Sequence, residues 1–191
     1  MVMNKIHVYF MPGLAASSKI FERIQLPTAT FEIHLLDWKI PHKNETLVAY
    51  AKRMAEEVTH DQAVLVGVSF GGVLVQEMTA FLSLRKLIII SSVKTNLEIP
   101  VTMKIFKSTK AYKLVPTTLL QNIEVLNKFS FSSVIQQRLK LYEKYMSMRN
   151  KTYLEWAIEQ MLLWDRVKPN PQVVHIHGDA DEVFPIKNIQ N

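Results

Sequence analysis

Two stretches of this chain, Ala63–Gly67 (AVLVG) and Leu87–Ser91 (LIIIS), are apolar almost without interruption. A strand with one wet face alternates apolar and polar residues. An unbroken apolar run of this length reads instead as a strand covered on both faces, as in parallel sheets. Lys5–Phe10 (KIHVYF), Phe31–Leu36 (FEIHLL) and Val173–His177 (VVHIH) are three further β-rich runs, bounded by Pro12-Gly13, Asp37, and Pro171 and Gly178. Helical patterns lie between them. Leu47, Ala51, Met54, Ala55 and Val58 recur at helical spacing, with Asn44 and Thr46 as candidate caps. A second helix is predicted from about Gly71 to Leu82, with Leu74, Met78 and Phe81 on one side. Strands that alternate with helices need crossover connections, so the expected class is α/β, with a mostly parallel sheet and helices on both faces.

The alternation stops at about Ile99. From there to Trp164 no run has buried-strand character, and helices are predicted instead, among them Val134–Met148 and Tyr153–Leu163. In the latter, Tyr153, Trp156, Ala157, Gln160, Met161 and Trp164 contribute to an amphipathic face. An insertion between two sheet strands is expected to form a helical cap over a cleft. The resulting division is a core of residues 1–96 and 167–191 with a cap of 97–166.

The chain has 191 residues, 48% of them hydrophobic, which suits one domain with a substantial core. It contains no cysteine, which excludes disulfides and thiolate chemistry and fits a reducing compartment. Met1–Ser17 has a short apolar run that contains His7 and is broken by Pro12-Gly13, unlike the longer centre of a signal peptide. No run reaches the roughly 18 apolar residues of a membrane helix. The expected location is cytoplasmic. The net charge of +6 is uneven: residues 94–168 hold 13 Lys/Arg against 6 Asp/Glu, and the remainder is slightly acidic. A solvated helical surface accounts for such a stretch. Attraction of an anionic substrate or an acidic lipid surface is the functional alternative. No base-reading or stacking motif accompanies the charge, so nucleic acid is not an expected partner.

The strongest chemical signal is Gly67-Val68-Ser69-Phe70-Gly71, a G-x-S-x-G set directly after one buried strand and directly before a helix. A turn this tight strains the serine backbone, and flanking glycines let neighbouring backbone approach without a Cβ clash. Ser69 would stand at the carboxyl end of the sheet, with the first N–H groups of the helix behind it favouring negative charge. Acyl transfer also needs two backbone donors for an oxyanion. Phe70 is one candidate. Leu14, in the Met11–Ser17 loop after the first strand, is the other. After the last strand, His177-Gly178-Asp179-Ala180-Asp181 offers a carboxylate of the kind that orients a catalytic histidine.

Taken in order, these segments resemble the α/β-hydrolase superfamily, especially its small esterase-like and lyase-like members. The resemblance covers nearly the whole chain. It implies a serine hydrolase with Ser69 as nucleophile and Leu14 and Phe70 as oxyanion donors. Asp181, the last position of H-G-x-x-D, is the implied acid, with Asp179 its neighbour. The family often has His-Gly where this chain has Pro12-Gly13, which removes a side chain that shapes the loop.

The resemblance also implies a histidine some tens of residues beyond the acid, yet no histidine follows Asp181 and the sequence ends at Asn191. Without a base a serine hydroxyl is a poor nucleophile. The favoured expectation is that the histidine lies beyond Asn191, Lys187–Asn191 being the beginning of a helix. Val173–His177 would then be an exposed edge, and a longer chain more soluble. Substitution by His177 or His42 is a second explanation, and a non-catalytic ligand-binding homologue a third.

The expected function is hydrolysis of a carboxylic ester, or a related acyl or C–C bond, through an acyl-serine. The expected partner is a small acyl or anionic substrate. No metal or organic cofactor is implied. Phe70, Phe106, Tyr112, Trp156 and Trp164 are candidates to line an apolar acyl pocket, although core packing is the commoner role of each. Ser91 and Ser92 are expected near the site without a defined role. Asp37 and Trp38 are expected only to close the second strand.

Overall fold

A computed structural model describes residues 5–109, 141 and 143–190. Five strands form one sheet: β1 (Ile6–Met11), β2 (Phe31–Leu35), β3 (Ala63–Val68), β4 (Leu84–Ile90) and β5 (Val173–Ile176). Their order is β2-β1-β3-β4-β5, and every pairing is parallel. The two unbroken apolar runs become the adjacent inner strands β3 and β4, and Val173–Ile176 lies at an edge. Parallel pairing brings all five carboxyl ends to one end of the sheet, so the loops after β1, β3, β4 and β5 converge there.

Four α-helices are described from end to end: α1 (Leu47–Ala55), α2 (Phe70–Met78), α3 (Val101–Ser108) and α4 (Lys151–Leu163). Of the two candidate caps for α1, Thr46 is the one used, its hydroxyl accepting from Ala49 N–H at 3.2 Å. Helix α2 ends at Met78, short of the predicted Leu82. The Thr79 hydroxyl donates to the Gln76 carbonyl at 2.7 Å, and Ala80 N–H bonds to Glu77 O, which closes the last turn. Phe81 is therefore 39% exposed rather than part of the apolar face.

The main core lies on one face of the sheet. Tyr9, Met11, Leu65, Leu87 and Ile89 pack there against residues of α1, α2 and α4. Helix α2 is buried along nearly its whole length, as a helix between a sheet and other helices must be. Helix α4 falls inside the 97–166 segment, yet Tyr153, Leu154, Trp156, Ala157 and Met161 belong to this core. On the other face, where the α/β pattern also predicts helices, the described residues contribute the 12–30 stretch. Its Phe21, Ile20 and Leu26 pack against Val8, Phe10, Val64 and Val66. Most of the predicted helix Val134–Met148 lies outside the described residues. Among the described residues, no helix is long and apolar enough to cross a membrane.

Candidate active site

Ser69 is the single residue between β3 and α2, with φ 52° and ψ −123°. An L-residue at positive φ with this ψ is strained by about 1–3 kcal/mol, and surrounding structure must hold it there. Three contacts do so. Ser69 N–H bonds to Ile90 O at the end of β4 (3.0 Å), Gly72 N–H bonds to Ser69 O (2.8 Å), and the buried Ser92 hydroxyl donates to the same carbonyl (2.7 Å). Ser92, unassigned from sequence, is thus a direct support of the turn. The glycines meet the expected close approaches. A Cβ on Gly67 would lie 2.4 Å from Gly71 O, and one on Gly71 would lie 2.3 Å from Pro12 O. The second figure also shows how closely the loop after β1 presses on the start of α2.

That loop carries Leu14. Gly13 is within van der Waals reach of Ser69: a Cβ built on it would stand 3.4 Å from Ser69 Cβ. Three contacts shape the loop in place of a histidine at position 12. The Trp38 indole N–H donates to Gly13 O (2.7 Å), Ala16 N–H bonds to the same carbonyl (3.1 Å), and Ala15 N–H donates to the Tyr153 hydroxyl (3.2 Å). Burial pushes the Tyr153 phenol well above its ordinary pKa, partly offset by the Ala15 N–H, so the acceptor is a neutral hydroxyl. Trp38 also stacks on Phe70, with centroids 5.2 Å apart and planes 12° off parallel. Trp38 therefore ties the Leu14 loop to the residue after Ser69, well beyond closing β2. Asp37 accepts from Ser18 N–H (2.9 Å) and holds the same loop further along.

The amides of Leu14 and Phe70 share a local geometry. Each adjoins a residue at positive φ, Ala15 at 61° and Ser69 at 52°. Among the described residues neither amide meets an acceptor, although Phe70 is fully buried. Buried N–H groups without partners are rare. The Ser69 hydroxyl likewise meets no partner among the described residues.

Asp181 is reached across two strand ends. Ser69 N–H bonds to Ile90 O of β4, and Ser91 N–H bonds to Ile176 O of β5 (2.9 Å). The Asp181 side chain is only 12% exposed, and one oxygen accepts from Val183 N–H (2.8 Å) and Phe184 N–H (2.9 Å). Its other oxygen stands 3.7 Å from His177 Nε2. Asp179 is exposed on the same turn.

Of the two histidines considered as substitute bases, one is engaged in the fold and the other is exposed. His177 has both ring nitrogens engaged, Nε2 with Phe184 O (2.7 Å) and Nδ1 with His175 Nε2 (3.0 Å). Burial, with help from His177, lowers the pKa of His175. His42 is 73% exposed on its loop beside Glu45. Of the pocket-lining candidates, Phe70, Trp156 and Trp164 are buried in the core. The two indole N–H groups are fixed to Glu45 O (2.6 Å) and Glu77 Oε1 (2.9 Å). Phe106 is 47% exposed on α3, and Tyr112 lies outside the described residues.

No protein-family model and no curated protein matches this sequence. Solved structures do match the fold along almost all of it. A hydrolase from Pseudomonas aeruginosa PA01 gives a TM-score of 0.67 at 14% identity, over 96% of this chain and 76% of that one. A bromoperoxidase from Bacillus anthracis gives 0.65 at 16% identity, over 97% and 78%. A lipase-esterase related protein from Clostridium acetobutylicum ATCC 824 gives 0.61 at 16% identity, over 98% and 80%. Likeness at such identities speaks to the fold, and the chain has the α/β-hydrolase fold.

Proposed function

We propose that the protein is a serine hydrolase acting on a carboxylic ester or a related acyl compound through an acyl-serine at Ser69. The observation that carries this reading is the strained Ser69 backbone (φ 52°) beside two backbone amides, of Leu14 and Phe70, that meet no acceptor among the described residues. Preorganised donors of this kind stabilise the charge that develops on a carbonyl oxygen under attack. Ser69 Oγ would add to the substrate carbonyl, the two amides would hold the oxyanion, and collapse would expel the alcohol and leave the acyl-enzyme. Water would then release the acid by the same route in reverse.

The step requires an imidazole to take the Ser69 proton, oriented by Asp181. The sequence has six histidines. His7, His34 and His60 stand together at the opposite end of the sheet, His175 and His177 bond to each other, and His42 is exposed. In this reading the base is a histidine that is none of these six. Helix α4, though inside the 97–166 segment, packs into the core rather than over the Ser69 site. The same lack of a suitable imidazole favours a second reading, a cleft that binds an acyl ligand without turning it over.

A fluorophosphonate probe with added free imidazole separates the two. Hydrolase machinery that lacks only its base should be labelled slowly alone and faster as imidazole is added, with all labelling lost in Ser69→Ala. Labelling that ignores imidazole would leave the binding reading. Labelling that persists in Ser69→Ala would remove Ser69 from the chemistry.

A further inference from the structure

A cluster of imidazoles lies away from the Ser69 site, at the amino-terminal end of the sheet. His7 is near the start of β1, His34 is on β2, and His60 is in the turn that leads into β3. The parallel register pairs His7 with Glu32 and Tyr9 with His34, so these four side chains share the face of the sheet on which Tyr9 packs. His60 enters from the β3 side. His7 Nδ1 and His34 Nε2 are 2.9 Å apart, the His7 and His60 rings stack at 3.5 Å, and one nitrogen from each of the three rings lies within 4.8 Å of the others.

We propose that His7, His34 and His60 bind a divalent transition-metal ion of the zinc type. Three imidazoles and no thiolate form a donor set for zinc, copper or nickel rather than for magnesium or calcium. Zn–N bonds of about 2.0–2.1 Å put the nitrogens of a tetrahedral site about 3.3 Å apart. The 2.9 Å between His7 and His34 and the 4.8 Å limit for all three bracket that value, and closing the site requires His7 and His60, 9° from parallel, to turn out of their stack so that both lone pairs meet the ion. The two nitrogens that face each other on His7 and His34 would turn their lone pairs to the ion instead of sharing a proton. All three rings are part-buried, and a fourth position remains open to water or to Glu32, whose Oε1 is 4.0 Å from His34 Nε2.

The surroundings support the ligand roles. The Tyr9 hydroxyl lies 2.6 Å from His60 Nδ1 and also receives Thr59 N–H at 3.3 Å. It can accept the Nδ1 proton of His60 and so leave Nε2 for the metal, the usual second contact of a ligating histidine. The Tyr9 ring stacks on His34 at 4.4 Å and fixes that ring as well. The bound ion would clamp β2, β1 and the turn before β3, at the end of the sheet opposite Ser69.

The test is calorimetric titration of the untagged, chelator-treated protein with ZnCl2. One equivalent should bind. His34→Gln should weaken binding tenfold or more, Tyr9→Phe about tenfold, and His175→Gln less than twofold. Unchanged binding in His34→Gln, or its loss in His175→Gln, would overturn the proposal. A measurement on the unsubstituted protein guards against a misfolded variant. Long-range 1H–15N spectra should show Zn2+ shifting the ring nitrogens of His7, His34 and His60. Shifts confined to His42, His175 and His177 would equally overturn it.

Discussion

The Trp38 indole N–H donates to the Gly13 carbonyl across 2.7 Å, while the face of the same ring lies on Phe70. One side chain therefore sets the spacing between the two segments that carry the candidate oxyanion donors. Trp38→Phe keeps a ring for the stack and removes the hydrogen bond. Gly13 O retains Ala16 N–H, but Trp38 is buried and the smaller ring leaves a void, so the loss of stability should be about 2–3 kcal/mol. Fluorophosphonate labelling of Ser69 should fall by on the order of tenfold, because a small misplacement of a catalytic group is costly. Denaturant unfolding and labelling rates, measured together, check both changes.

Ser69 holds a backbone geometry that glycine adopts freely. Relief of about 1–3 kcal/mol of strain exceeds the roughly 0.5–1 kcal/mol entropic cost of a glycine. Ser69→Gly should therefore stabilise the protein by about 1 kcal/mol while abolishing labelling. A melting temperature at or below that of the unsubstituted protein would contradict the strain.

Gly71 and Gly13 should respond differently to alanine. The new Cβ at position 71 would meet the Pro12 carbonyl at 2.3 Å, a backbone atom with no side-chain freedom to yield. Gly71→Ala should cost about 2–3 kcal/mol or more. At position 13 the nearest atom is Ser69 Cβ at 3.4 Å, an ordinary contact. Gly13→Ala should cost less than about 1 kcal/mol. Thermal melts of the two variants side by side give the comparison.

Glu45 supplies a pH-dependent contribution to stability. Its side chain is 6% exposed and accepts from Arg53 Nε (3.0 Å), Arg53 Nη2 (2.8 Å) and His42 N–H (2.7 Å). Burial alone pushes the carboxyl pKa up, but the Arg53 hydrogen bonds and the His42 amide outweigh it and leave it below the ordinary 4.5. A folded-state pKa below the unfolded one adds stability that is fully present above the unfolded value and lost as pH falls through the folded one. Glu45→Gln should therefore cost about 1–3 kcal/mol at pH 7. The gap from the unsubstituted protein should close as pH drops below 4.5. Urea unfolding at pH 7 and at successively lower pH checks the sign.

The parts of the fold that rest on local pattern were legible in the sequence. Unbroken apolar runs marked β3 and β4 as inner strands because burial on both faces leaves no room for polar alternation. The G-x-S-x-G placed Ser69 between strand and helix because the glycines answer a steric need at adjacent positions. What the sequence hid depends on contacts between distant segments. Trp38 read as the end of a strand, and Tyr153 and Trp156 as one side of an amphipathic helix. Only the tertiary arrangement turns Trp38 and Tyr153 toward the Gly13–Ala15 backbone. Ser92 gave no motif, and its partner is a carbonyl on another strand's turn. The three clustered histidines have no ligand spacing along the chain, since they come from two strands and a turn that meet only in the sheet.

The Leu14 loop is also joined to residues 145–148, within the basic insertion. Ser17 N–H bonds to Tyr145 O (2.7 Å), Met148 N–H bonds to Ala15 O (3.1 Å), and Ala16 bridges Met146 in antiparallel fashion. This short ribbon makes residues 145–148 a lever on one of the two candidate donors. Residues far apart in the sequence thus share the positioning of the backbone on the carboxyl side of Leu14, and the ribbon is a structural brace for that turn as much as a connection.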